Sequence, residues 1–167
     1  MPNLLVTGRW GETHVTSAQA RNFHAGVFGS GQYVLSGLTA TMTTANTCHI
    51  DPGVACFNGA DVEVPAGGVD VTIDNGTQGQ MRNDLVVLRY TSEPSTQTED
   101  VELVVVKGTP AASNPQDPSY NEGSILEGDS PCDMPLYRIP LDGITVGDPV
   151  LLAPAWMAPN RAGASSA

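Results

Sequence analysis

The stretch whose reading decides the fold is 69–90, VDVTIDNGTQGQMRNDLVVLRY. Two runs with β character, VDVTI (69–73) and DLVVLRY (84–90), flank a loop rich in Gly, Asn and Asp that carries one arginine. The second run is apolar without interruption through Leu85, Val86, Val87 and Leu88. Its expected hairpin partner, VELVVVK (101–107), is the same through Leu103, Val104, Val105 and Val106. A strand with one face in water alternates, so both strands are expected to be covered on both faces, by the N-terminal helix and arm or by another subunit. The loop itself fits no phosphate or metal spacing, and Asn and Gly there read as turn residues that tolerate left-handed backbone. Asn75-Gly76-Thr77 matches a glycosylation sequon, read as chance in a chain without a signal peptide. Arg82 and Asp84 stand where the turn runs into the buried strand. The carboxylate there can accept backbone N–H bonds and the guanidinium can clamp it or a neighbouring carboxylate, of its own chain or of another, a structural role read in preference to a ligand role.

Outward from this stretch the chain reads as short β-type runs separated by turn residues: 32–36, 38–43, 47–50, 54–58, 60–65 and 69–73 before the loop, then 84–90, 101–107 and 135–141, with a short one at 144–147. Nine or ten such strands predict an all-β fold, a β-sandwich or jelly-roll-like barrel of short antiparallel strands. Residues 1–29 read as an arm holding a short helix over 16–23, with Thr16 or Ser17 as N-cap and the Gly-rich AGVFGSG ending it. The sandwich is expected over 30–152, and 153–167 reads as a flexible tail or linker. DPG at 51–53 predicts a tight hairpin turn in which Ile50 faces Val54 and Cys48 faces Cys56. The Pro-rich connection 107–135 is long enough to be a surface excursion or a binding loop. Pro135 and Pro140 place the strand that follows it at a sheet edge.

Composition narrows the function classes. At 167 residues the chain has the size of one domain; 15% of its residues are charged, and it holds 18 glycines and 13 prolines, a turn-rich balance. The net charge of −11 repels phosphate backbones and anionic headgroups, so neither nucleic acid nor a membrane surface is an expected partner. No segment has the length of a membrane span, and the first residues lack the basic lead and apolar run of a signal peptide, so synthesis in the cytoplasm is expected, with the chain kept there or leaving by a route that needs no signal.

Candidate chemistry is sparse. His14, His24 and His49 are scattered, and Cys48 and His49, being neighbours on a strand, point to opposite faces. Glu127, Asp129 and Asp133 lack the spacing of a calcium loop, so no metal and no cofactor is assigned. No nucleophile elbow or P-loop occurs, and the only lysine is Lys107. Cys48 and Cys56 form a candidate thiol pair if the turn at 51–53 is right, although a reducing compartment favours two buried free thiols. A hydrolase would need paired carboxylates converging in a cleft, and spacing selects none.

The blocks HVTSAQARNFHAGVFGSGQYVL, VTIDNGTQGQMRNDLVVLRYT, VELVVVKGTP and DMPLYRIPLDGI, which are spread from residue 14 to residue 144, resemble a family of tail proteins from phages and prophages of Gram-positive bacteria. The resemblance is to the N-terminal module of baseplate, tail-fibre-adaptor or receptor-binding components. It implies a structural module located in the virion tail and no catalytic residue. The implied partners are the chain itself, as a homotrimer or other homo-oligomer, and other tail or baseplate proteins. The competing expectation is a carbohydrate-binding module recognising host cell-surface glycans. Aromatics are only 5% of the chain, and Tyr120, in the long loop, is its candidate glycan contact.

Overall fold

The computed structural model describes residues 15–156. Helix α1 (Ser17–Phe28) starts with a capping box. The Thr16 hydroxyl accepts the Gln19 N–H at 3.2 Å, and the Gln19 side chain accepts the Thr16 N–H at 2.9 Å, satisfying two of the helix's free donors. The helix runs five residues past the expected 23, through Gly26, and stops at Gly29, whose φ of 96° no helix accommodates. No helix among the described residues is long and apolar enough to cross a membrane.

The first six strands are β1 (Gln32–Gly37), β2 (Ala40–Met42), β3 (Thr47–Ile50), β4 (Gly53–Phe57), β5 (Ala60–Val64) and β6 (Val69–Thr72). They form two three-stranded leaves, β1-β4-β5 and β2-β3-β6. The register shows how the leaves are related. β1 opposes β4 from Gln32 opposite Phe57 to Gly37 opposite Gly53, and β2 opposes β3 from Ala40 opposite Ile50 to Met42 opposite Cys48. The two ladders are one antiparallel hairpin that turns at 43–46, where the Thr43 N–H donates to the Thr47 carbonyl at 2.9 Å. Midway it folds over a corner, bridged by Leu38 N–H to the Pro52 carbonyl and Asp51 N–H to the Thr39 carbonyl. Glycine is needed at the corner because the two chains nearly touch. A Cβ on Gly37 would lie 2.2 Å from the Pro52 oxygen, and one on Gly53 would lie 2.4 Å from the Ser36 oxygen. A tight turn at Asn58 and Gly59, both left-handed, returns the chain as β5, and β6 then crosses the same corner to pair with β3.

The expected hairpin about 51–53 is therefore overturned. The Pro-Gly pair bends a strand from one leaf into the next instead of reversing it. Cys48 lies opposite Met42 and Val71, while Cys56 lies opposite Tyr33 and Asp61 in the other leaf.

The second layer contains β7 (Met81–Glu93), β8 (Thr98–Val106), β9 (Cys132–Asp142), β10 (Thr145–Val146) and β11 (Val150–Leu151), in the order β10-β9-β7-β8 with β11 also on β9. Its inner face packs on the folded sheet, so that Ile50, Phe57 and Ile73 share one core with Val86, Leu88, Met134 and Ile139. The protein is an all-β sandwich of antiparallel sheets with one helix near the N-terminus.

Three further expectations change. β7 is buried on both faces, but β8, an edge strand, is only half-buried through Leu103, Val104, Val105 and Val106. β9 is internal, between β7 and the short β10 and β11. Pro135 and Pro140 fall outside the four β9 residues that β10 and β11 pair, so neither costs a ladder donor on that side. Residues 153–156 belong to the sandwich. Val34 N–H donates to the Pro154 carbonyl, Trp156 N–H donates to the Val34 carbonyl, and the Trp156 ring stands edge-on to Phe28 at 4.9 Å. The rest of the expected tail, and residues 1–14 of the expected arm, lie outside the described residues.

Candidate functional site

Along β7, alternate residues Arg82, Asp84, Val86 and Leu88 share the inner face, so the charged pair enters the core at the end of the sheet. Arg82 is 2% exposed and Asp84 0%. Arg82 Nε donates to Asp84 Oδ1 at 2.7 Å and Nη2 to Oδ2 at 2.9 Å, a two-pronged contact between residues two apart. Nη2 also donates to the Asp74 carbonyl and Nη1 to the Asn75 carbonyl, while Asp84 Oδ1 accepts the Gly108 N–H at 2.9 Å. The pair thus ties the DNG turn before β7 to the segment leaving β8. All of its contacts are within the chain, and neither charged group faces a cleft. Gly76 and Gly108 allow the close approach, since a Cβ on them would lie 1.8 Å from the Gly143 oxygen and 1.9 Å from the Asn83 oxygen.

The outer face of β7 shows Asn83, Leu85, Val87 and Arg89, and the long connection is tied across it. Met81 bridges Ala111, and Asn83 donates to the Pro115 carbonyl and the Asp117 carboxylate. Arg138 grips Asp117 with both Nε, at 2.6 Å, and Nη2. Arg89 holds Asp133 at 2.8 and 3.0 Å, and Asp133 also accepts the Asn121 N–H. Burial alone would raise the Asp133 carboxyl, but the hydrogen bonds from Arg89 and Asn121 outweigh it and hold the group below its usual range. The Arg138 hydrogen bond does the same for Asp117. Much of this connection, expected to be an excursion, is the cover for Leu85 and Val87, both buried. Sequence reading missed both of these pairs. Arg89 and Arg138 sit within strand runs, but nothing local indicates carboxylates 44 and 21 residues away.

Tyr120 sits on this cover and is 38% exposed. It borders an open cleft of about 490 Å³ lined also by Gln32, Asn58, Leu85 and Asp117. A second groove, about 410 Å³, runs between α1 and the strands β5 and β8, with Arg21, His24, Asp61, Glu63, Glu99 and Asp100 along it. Arg21 reaches Glu99 at 2.9 Å, and Glu99 also accepts the Tyr90 hydroxyl at 2.7 Å, which lowers its carboxyl. His24 Nδ1 lies 2.9 Å from the Gly59 carbonyl and 3.4 Å from Asp61.

Cys48, Cys56 and Cys132 are free and buried, which removes the candidate pairing of Cys48 with Cys56. Burial, with the charge of Asp70 beside it, pushes the Cys48 thiol up to about 11. Of the weighed calcium set, Asp133 is held by Arg89 and Asp129 accepts the Ser124 N–H. Among the described residues no three His, Cys, Asp or Glu side chains gather as a metal-binding group. No protein-family model matches the sequence, and no curated protein does either.

Proposed function

We propose that this chain is a structural component of a bacteriophage tail tip or baseplate, a homo-oligomeric adaptor or fibre-attachment module that presents or anchors host-binding parts. The resemblance of its sequence blocks to tail proteins of phages of Gram-positive bacteria points to that class. The observation that carries the reading is the use made of the prominent charged pairs. Arg82–Asp84, Arg89–Asp133 and Arg138–Asp117 each fix a loop or strand end to the central sheet. Polar groups spent on rigidity suit a part that holds its shape under load and turns over nothing. Exposed Val150 and Leu151, on the outermost strand of the second layer, add apolar surface of the kind that assembly contacts use.

Light scattering on the purified chain at high concentration tests the reading, with a discrete homo-oligomer expected and a strict monomer overturning it. Mass spectrometry of purified tails from particles released by the source bacterium should then recover the chain. The second reading, a carbohydrate-binding module, draws support from Tyr120 beside an open cleft that Gln32, Asn58 and Asp117 also line. Glycan-array binding that Tyr120→Ala abolishes would favour it over the first.

A further inference from the structure

The chain holds two Asn-Gly pairs, Asn58-Gly59 and Asn75-Gly76. Glycine after asparagine leaves the side-chain amide most open to attack by the next backbone nitrogen, because no Cβ hinders the approach and the backbone is free to adopt it. The fold treats the two pairs in opposite ways. Asn58 is 5% exposed, and both ends of its amide are engaged: Nδ2 donates to the Ser30 carbonyl at 2.9 Å, and Oδ1 accepts the Ile125 N–H at 3.2 Å. Asn75 stands exposed in the loop between β6 and β7. Among the described residues its side chain makes no hydrogen bond, and the Gly76 N–H donates to no acceptor. Only the Asn75 carbonyl is engaged, accepting from Arg82 Nη1 at 3.2 Å.

We propose that Asn75 is a site of spontaneous deamidation, and that its isoaspartyl product loosens the buried Arg82 anchor. The reaction needs only water. Hydroxide takes the Gly76 amide proton, the nitrogen bonds to Asn75 Cγ, and Cγ releases the side-chain nitrogen as ammonia, leaving a five-membered succinimide. Water then opens the ring at one of its two carbonyls. Opening at Cγ gives aspartate at 75 with the main chain as before. Opening at the former backbone carbonyl gives isoaspartate, whose main chain runs through Cβ and Cγ and is one carbon longer. Either product adds one negative charge to a chain at −11.

The two products act differently on the fold. Aspartate leaves the Arg82 contact in place. Isoaspartate turns the carbonyl that Arg82 held into a free carboxylate, beside a guanidinium that Asp84 already balances. The added carbon must also fit between two fixed points. On one side Arg82 holds the Asp74 and Asn75 carbonyls, and on the other a Cβ on Gly76 would lie 1.8 Å from the Gly143 oxygen. One of these contacts has to yield. Arg82 is 2% exposed, so any hydrogen bond it loses is not replaced by water.

The test keeps the purified full chain in warm, mildly alkaline buffer below its melting temperature and follows positions 75 and 58 by peptide mapping and mass spectrometry. Conversion at 75 is expected to exceed that at 58 many-fold in the native protein, and the two should become comparable in urea. Asn75→Ser, which keeps the backbone carbonyl and removes the amide, should abolish the acidic species that accumulates on anion exchange. The isoaspartyl form, separated from the aspartyl form, should melt below Asn75→Asp, which should melt with the parent. Conversion at 75 no faster than at 58 in the native chain overturns the assignment of the site. An isoaspartyl form that melts with Asn75→Asp overturns the link to Arg82. The outcome is independent of the tail-protein reading, since the reaction needs no partner.

Discussion

Removing one partner of the Arg82–Asp84 pair should cost far more than removing both. The Asp84 carboxylate accepts three hydrogen bonds, two from Arg82 and one from the Gly108 N–H. Arg82→Met leaves a buried carboxylate with one donor. Asp84→Leu leaves a buried guanidinium with only the Asp74 and Asn75 carbonyls. Each single variant therefore strands a charge and is expected to lose about 3–5 kcal/mol. Against a total stability of about 5–15 kcal/mol for a domain, that is a large share. The double variant Arg82→Met/Asp84→Leu strands no charge. It forfeits the ties to the two carbonyls and to Gly108, about 1–3 kcal/mol, and should be more stable than either single variant. Urea unfolding followed by far-ultraviolet circular dichroism measures all four proteins, with equal slopes required for the comparison. Arg82→Lys, which keeps the charge and loses the fork, provides an intermediate case if a single variant does not fold. Singles within about 1 kcal/mol of the parent, or a double variant as unstable as the sum of the singles, would refute the reasoning.

Acid should weaken the fold in a defined window. Asp133 and Asp117 are held below their ordinary value of 3.8, so the stability they lend is complete above that value and is lost as pH falls through their lower folded values. Melting temperatures taken downward from about pH 5 should fall, and Asp117→Asn should flatten the fall; an unchanged acid limb in that variant would count against it. All three thiols should resist a thiol reagent in the native protein and react in denaturant without reductant. Fewer than three titratable thiols would contradict the separation of Cys48 from Cys56 across the two leaves. Gly76→Ala, whose methyl meets the Gly143 carbonyl, should destabilise by about 1–3 kcal/mol. Gly26→Ala, in helix with open space around it, should stabilise by about 0.5–1 kcal/mol, and thermal melts of the two variants should move in opposite directions.

What the sequence made legible was local. Thr16 with Gln19 three residues on marks the helix start, and the run 85–88 marks a strand covered on both faces. Arg82 and Asp84 lie two apart in a strand, hence on one face, so their mutual contact needed no knowledge of the rest of the fold. The corner at 51–53 was not legible, because Pro-Gly chemistry is the same whether the chain reverses within a sheet or bends into the next layer. The deciding fact is long-range. Gly37 meets Gly53, and the hairpin's true turn lies at 43–46 among threonines that signal nothing strongly. Misplacing that turn moved Cys48 opposite Cys56, for side-chain partners follow from register and one wrong turn reassigns them all.

The long connection failed for a related reason. Its prolines and glycines describe a segment without regular structure, which holds apart from one turn of 3-10 helix at Ile125–Glu127, and such a segment reads as surface decoration. Yet β7 needs its outer face covered, and among the described residues there is no second α-helix to do it. The cover is therefore irregular backbone, whose own polar groups must be satisfied where they meet an apolar sheet. Asn83 takes the Pro115 carbonyl, Arg138 and Asn83 share Asp117, and Asp133 takes the Asn121 N–H. This explains why so many of the few charges are committed to holding loops. An all-β chain that covers a sheet with loop instead of helix must supply side-chain partners wherever backbone bridges such as Met81 to Ala111 do not reach. The same logic makes the Arg82 loop a connection and not a cradle, since its arginine is spent on its own turn.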